Sequence, residues 1–205
     1  MTKLEYDVHI SEQKLRQEKG YLTGSERNKL KHMIDNPKEY IKTPESELPK
    51  GKPIITSIKE LRIPSVPVEK GEDVKSIIKD LKETLVAHPT GLGLSAPQIG
   101  VKKQISYIRM PYLSDNKTIE FRETVLINPV ITEKARKIIY KGEGCLSIPR
   151  IFIDTDRYVF ITVSYLDENL KEQTRMVQDV ESFAFQHEIS HLSGKLIFDF
   201  KHKKI

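Results

Sequence analysis

Two stretches of the chain repeat apolar residues at helical spacing. Between 74 and 87, Val74, Ile77, Ile78, Leu81 and Leu85 recur at every third or fourth position, which gathers them on one helix face. Asp73 stands where a cap belongs, and Pro89 with the glycines after it ends the pattern. Between 179 and 192, Val180, Phe183, Ala184, His187 and His191 share a face, with Asp179 as candidate cap and Gly194 placed to terminate the helix. The intervening segments 104–110, 124–131, 136–140, 158–166 and 174–178 read as strands, several of them entered through Gly or Pro. A short apolar run over 196–200 closes the chain. The pattern predicts an α+β fold: antiparallel strands wrapped around one buried helix that carries two histidines.

The first 52 residues have a different texture. They are highly charged, poor in aliphatic runs, and end on Pro44, Pro49, Gly51 and Pro53. Short helices are expected around Glu12–Gln17 and Ser25–Ile34, within an N-terminal extension that is not a second core. The domain proper is expected over residues 53–205. A length of 205 residues suffices for one such core. No apolar run is long enough to span a membrane, and Glu5 and Asp7 argue against a secretory or transit segment. A single cysteine makes no intrachain disulfide, which points to a reducing, cytoplasmic interior. The net charge of +5 is mildly basic and by itself predicts no specific DNA binding.

The chemistry gathers at Gln186-His187-Glu188-Ile189-Ser190-His191. Residues four apart on a helix lie one turn from each other on the same face, so both imidazoles can reach one ion. Glu188 then stands beside the ion, where a base can take a proton from water. One histidine on an apolar face is more often a hydrogen-bonded core residue; the pair with the glutamate favours a metal. Two other metal-site patterns are not met, because Ile197 stands where a third histidine would be and no glutamate follows His191. A ligand from upstream is needed, and Cys145, in Glu143-Gly144-Cys145-Leu146-Ser147, is the best candidate. A lone cysteine is commonly only a small buried hydrophobe, but a thiolate with two imidazoles suits a divalent transition metal and leaves a fourth position open. Gly91, Gly93 and Ala96 match a dinucleotide-binding spacing, yet a helix precedes them and Pro97 follows, so that reading fails. The better reading is a bare backbone that pairs with an extended peptide, with the Gln98 amide as a donor at its end.

In this order, Gly91–Gln98, Glu143–Ser147 and Gln186–Gly194 resemble the three signature motifs of the peptide deformylase family, and Leu61–Val68 resembles the opening of its domain. The resemblance implies that Cys145, His187 and His191 hold one divalent ion, ferrous iron most often, with zinc, nickel or cobalt as substitutes. It implies Glu188 as general base and acid, and Gln98 with the backbone N–H of Leu146 as oxyanion donors. Gly93 would pair with the substrate backbone, Arg157 would brace Glu143, and Leu92, Phe183, Ala184 and Val180 would line a methionine pocket. The implied substrates are N-formylmethionyl nascent peptides, with contact to the ribosome left open and no membrane involved. Two positions depart from the usual pattern: Ser190 replaces an Asp, and Ser95 replaces an Ala. The alternatives carried alongside are a metallopeptidase of the His-Glu-x-x-His type and a non-catalytic binding protein of the same fold.

Overall fold

The computed structural model describes residues 50–88, 90–113 and 119–203. The helices expected at Glu12–Gln17 and Ser25–Ile34 lie outside the described residues. The strand-forming segments pair antiparallel, in chain order, into one five-stranded sheet: β1 (Gly93–Ser95), β2 (Ile105–Leu113), β3 (Ile119–Cys145), β4 (Ile148–Leu166) and β5 (Glu172–Gln178). Among the described residues three helices accompany it, α1 (Ile58–Leu61), α2 (Lys75–Val86) and α3 (Asp179–Leu192), together with 3-10 turns at Ala96–Ile99 and Ile197–Phe200.

Strand alternation assigns the two larger helices to separate clusters. Ile105 and Tyr107 of β2 and Val125 and Ile127 of β3 pack with Ile78, Leu81 and Leu85 of α2. Their neighbours Ile108, Met110 and Leu126 pack with Ala184 and Phe185 of α3. Phe185 is fully buried, and removing such a side chain from water contributes about 1.5–3 kcal/mol. Gln186 ties α3 to β4, since its side chain accepts from the Tyr158 N–H at 3.0 Å and donates to the Tyr158 carbonyl at 2.7 Å.

The observed boundaries differ from the sequence pattern where alternation is broken. Segments 124–131 and 136–140 belong to the single strand β3, whose pairing with β4 shifts register between Ile127 and Val130 and again between Ile131 and Glu133. Asn128, within the first shift, adopts a positive φ of 50°, so the in–out order that marks a strand is lost locally. β4 begins at Ile148, well before 158, because most of its first residues face outward and carry no alternation. Helix α1 is one turn long, capped by the Ser57 hydroxyl, and too short to show a period. Val74, not Asp73, takes the cap position of α2, and the Asp73 carboxylate just before it accepts from the Lys75 N–H at 2.9 Å. Asp179 is the first residue of α3 and not its cap, with Gln178 preceding it. Gly194 ends that helix at φ 69°, where a side chain would meet the Arg62 carbonyl 2.4 Å away. The run at 196–200 forms the second 3-10 turn. Among the described residues no helix is long and apolar enough to cross a membrane.

Candidate metal centre

Helix α3 and the β3–β4 hairpin meet at one point. Cys145 is the last residue of β3, held opposite Ile148 across the two-residue turn Leu146-Ser147. From the helix, His191 Nε2 comes within 3.3 Å of Cys145 Sγ and 3.2 Å of His187 Nε2. The three ligating atoms all lie within 4.8 Å of one another. Donors at roughly 2.0–2.3 Å from a tetrahedral ion stand about 3.4–3.6 Å apart, so this set fits one ion. Asp199 and His202 in the tail, which also carry groups able to bind a metal, are engaged elsewhere: Asp199 pairs with Arg62, and His202 Nδ1 lies 2.9 Å from Asp156.

The ring of His187 is oriented from behind. Its Nδ1 lies 2.6 Å from Glu143 Oε1, and donating there leaves Nε2 as the free lone pair a ligand needs. Glu143 is buried and accepts three further bonds, from Arg157 Nε at 2.8 Å, Arg157 Nη2 at 2.5 Å and the Thr155 hydroxyl at 2.5 Å. The Phe200 ring covers the Arg157 guanidinium at 4.4 Å. Burial alone would raise the pKa of Glu143, but the bonds from His187 and Arg157 outweigh it and hold the carboxyl at about 2. A carboxylate depressed in the fold stabilises it above the unfolded value near ~4.3, and that contribution disappears as pH falls toward about 2. Arg157→Ala would strand this buried charge. It is expected to cost about 3–5 kcal/mol in a denaturant titration of the metal-loaded protein and to move acid unfolding to higher pH. An unchanged midpoint would show that Thr155 and His187 suffice.

The imidazoles differ electrostatically. Burial lowers the pKa of His187, yet Cys145 and Glu143 raise it more, to well above the ordinary value. A cation competes with that proton, so metal affinity falls as pH falls. Burial and the charge of His187 push His191 well below the ordinary value, leaving the neutral ring that coordination requires. Glu188 is buried beside them, and its pKa is raised because desolvation outweighs the attractions of His187 and the Ser95 hydroxyl. A carboxyl shifted toward neutral pH is suited to taking and returning a proton.

A cleft of about 770 Å³ opens onto this point, lined among others by Leu92, Gly93, Gln98, Phe183, Ala184 and Glu188. Among the described residues β1 is an edge strand, paired only with β2 in the sheet, the arrangement to which an extended chain can add. Gly93 is required by close approach: a Cβ there would stand 2.7 Å from the Glu188 side chain. Gln98 is buried, accepts from the Ser95 N–H at 2.8 Å, and aims its amide nitrogen at Ser147 Oγ (3.2 Å) and Cys145 Sγ (3.7 Å). Leu146 follows the thiol in the turn, part-buried against the α2 cluster. Ser190 donates to the Gln186 carbonyl at 2.5 Å within its own helix. Thr155, Phe200 and Ser106 also reach the centre or its brace. Nothing in their local sequence marks them, because each arrives through strand register or tail packing.

The fold and this centre define the class, an α+β protein with a single-metal hydrolase site. The polypeptide deformylase family model matches residues 52–204. The chain is 39% identical over 140 residues to peptide deformylase 2 of Vibrio cholerae, covering 68% of this chain and 79% of that one. It is 35% identical over 140 residues to the peptide deformylase of Microchaete diplosiphon, covering 68% and 72%. Among solved structures, the peptide deformylase of Ehrlichia chaffeensis in complex with actinonin superposes with a TM-score of 0.67 at 33% identity, over 75% of this chain and 90% of that one. The chain belongs to the peptide deformylase family.

Proposed function

We propose that this chain removes the formyl group from N-formylmethionine at the start of newly made polypeptides, with Cys145, His187 and His191 holding one divalent ion. The observation that carries the reading is the convergence of those three ligating atoms within 4.8 Å, on a cleft that Glu188 also lines. When bound, the ion supplies Lewis-acid chemistry, polarising water and the formyl oxygen. The substrate lies extended along β1, where Gly93 offers its backbone, and its methionine side chain enters the apolar part of the cleft formed by Leu92, Val180, Phe183 and Ala184. Glu188 accepts a proton from the attacking water. The water oxygen bonds to the formyl carbon, and the Gln98 amide with the Leu146 N–H receives the charge on the formyl oxygen. Glu188 then returns the proton to the nitrogen as the carbon–nitrogen bond breaks, releasing formate and a free methionine amine.

The native ion is ferrous iron in this reading because the family resemblance implies it, the thiolate with two imidazoles suiting zinc, nickel or cobalt as well, and the protein works in the cytoplasm on chains leaving the ribosome. Purified without oxygen and offered formyl-Met and unformylated peptides of the same sequence, the protein is expected to release formate from the first and cleave no peptide bond in the second. Cleavage of the unformylated peptide would make it a metallopeptidase. Air should inactivate the iron form, because iron and thiolate both oxidise, and nickel replacement should protect it. Equal air-sensitivity of both forms would remove iron oxidation as the cause.

A further inference from the structure

Two hydroxyls stand behind Glu188. Ser95 of β1 and Ser106 of β2 are direct cross-strand partners, so the pleat sends both side chains to the same face of the sheet, against α3. Both are fully buried. Ser106 Oγ lies 3.1 Å from Ser95 Oγ and 3.5 Å from the Glu188 carbonyl. Ser95 Oγ in turn lies 2.5 Å from Glu188 Oε2 and 2.9 Å from the Glu188 carbonyl. A hydroxyl has one proton to give. The shorter contact, to a charged acceptor, takes it, and Ser95 is left with lone pairs to accept from Ser106.

The result is a division of labour between the two carboxylate oxygens. Oε2 is held from within the protein by the Ser106–Ser95 chain. Oε1 faces Gly93, whose missing Cβ would stand 2.8 Å from it, and Gly93 and Glu188 both line the cleft. Among the described residues the Ser95 hydroxyl supplies the hydrogen bond that reaches Oε2, and without it the carboxylate could turn about its last torsion, which is broad for glutamate.

We propose that Ser95, backed by Ser106, is a positioning residue for the hydrolysis: it locks the Glu188 carboxylate so that Oε1 is the oxygen presented to water and to the departing amine. This rests on the deformylase reading above, and it gives the serine that replaces the family's usual alanine a task in this chain.

The test uses the metal-loaded full chain and a short formyl-Met peptide. Ser95→Ala is expected to lower kcat about tenfold, the scale of one hydrogen bond to a charged group, with KM and metal content within about twofold. Made in the Glu188→Ala background, the same substitution is expected to change the residual rate hardly at all, because the group it positions is gone. Ser95→Thr, which keeps the hydroxyl, should restore most of the rate. An unchanged kcat in Ser95→Ala overturns the proposal, and so does an equal loss in both backgrounds, which would mean a structural hydroxyl. If Ser95→Ala fails to fold, Ser106→Ala carries the test, with a loss of about threefold in kcat expected from weakening the chain and no loss overturning it. A metal-loaded wild type that releases no formate would instead bring down the deformylase reading, and this proposal with it.

Discussion

Cys145→Ser, His187→Ala and His191→Ala are each expected to leave the protein folded but nearly free of metal, with deformylation lowered about a thousandfold or more. The size follows from what the ion contributes, several kcal/mol of transition-state stabilisation, each 1.36 kcal/mol being tenfold in rate. The three positions differ in how the site fails. A serine hydroxyl at 145 keeps the shape of the β3–β4 turn but replaces a soft anionic donor with a neutral one. Loss of the His187 ring removes both a ligand and the partner of Glu143 at 2.6 Å, so this variant is also expected to unfold at lower denaturant. Among the described residues the His191 ring makes its polar contacts to the centre through Nε2 and braces no other group, so its loss should spare stability more. Elemental analysis of protein purified without oxygen, alongside a formate-release assay, measures both effects. A Cys145→Ser protein with a full equivalent of metal and normal turnover would sink the centre as drawn.

Glu188→Ala is expected to separate holding the ion from using it. The carboxylate is buried next to the centre but is not one of the three converging ligands. Metal content should therefore stay near that of the wild type, while kcat falls by the ~10²–10⁴-fold typical of removing a general acid–base group. The alanine also opens space against Gly93, whose α-carbon lies close under the glutamate side chain, so water can enter and rescue part of the rate. Small carboxylic acids added to the assay are expected to restore some activity for the same reason. Parallel loss of metal would make Glu188 a ligand or a structural residue and not the proton carrier.

The candidate ligands on α3 were legible because their relation is local. A spacing of four on a helix is fixed by helix geometry, and the apolar period around it shows which face turns inward. The helices over 75–86 and 179–192 were readable for the same reason, as was the glycine that ends the second. Strand content was readable, but strand extent was not. The register shifts at Ile127–Val130 and Ile131–Glu133 cut one 27-residue strand into apparent pieces, and the outward-facing start of β4 carried no alternation at all.

What only the tertiary structure decided is how distant segments meet. The chain motif marks Cys145 as a candidate; the hairpin that places its sulfur 3.3 Å from His191 depends on pairing over the whole length of β3 and β4. The brace from Thr155 and Arg157 to Glu143, and the Phe200 ring over the guanidinium, depend on the same register. The facing of Ser95 and Ser106 toward Glu188 depends on the pairing of β1 with β2, where a slip of β1 by one residue would turn the Ser95 hydroxyl to the other face, away from Ser106. Helical spacing is a property of neighbours along the chain and can be read from residues alone. Register is set by side chains far apart in sequence that must be buried together, and it exists only once the sheet has formed.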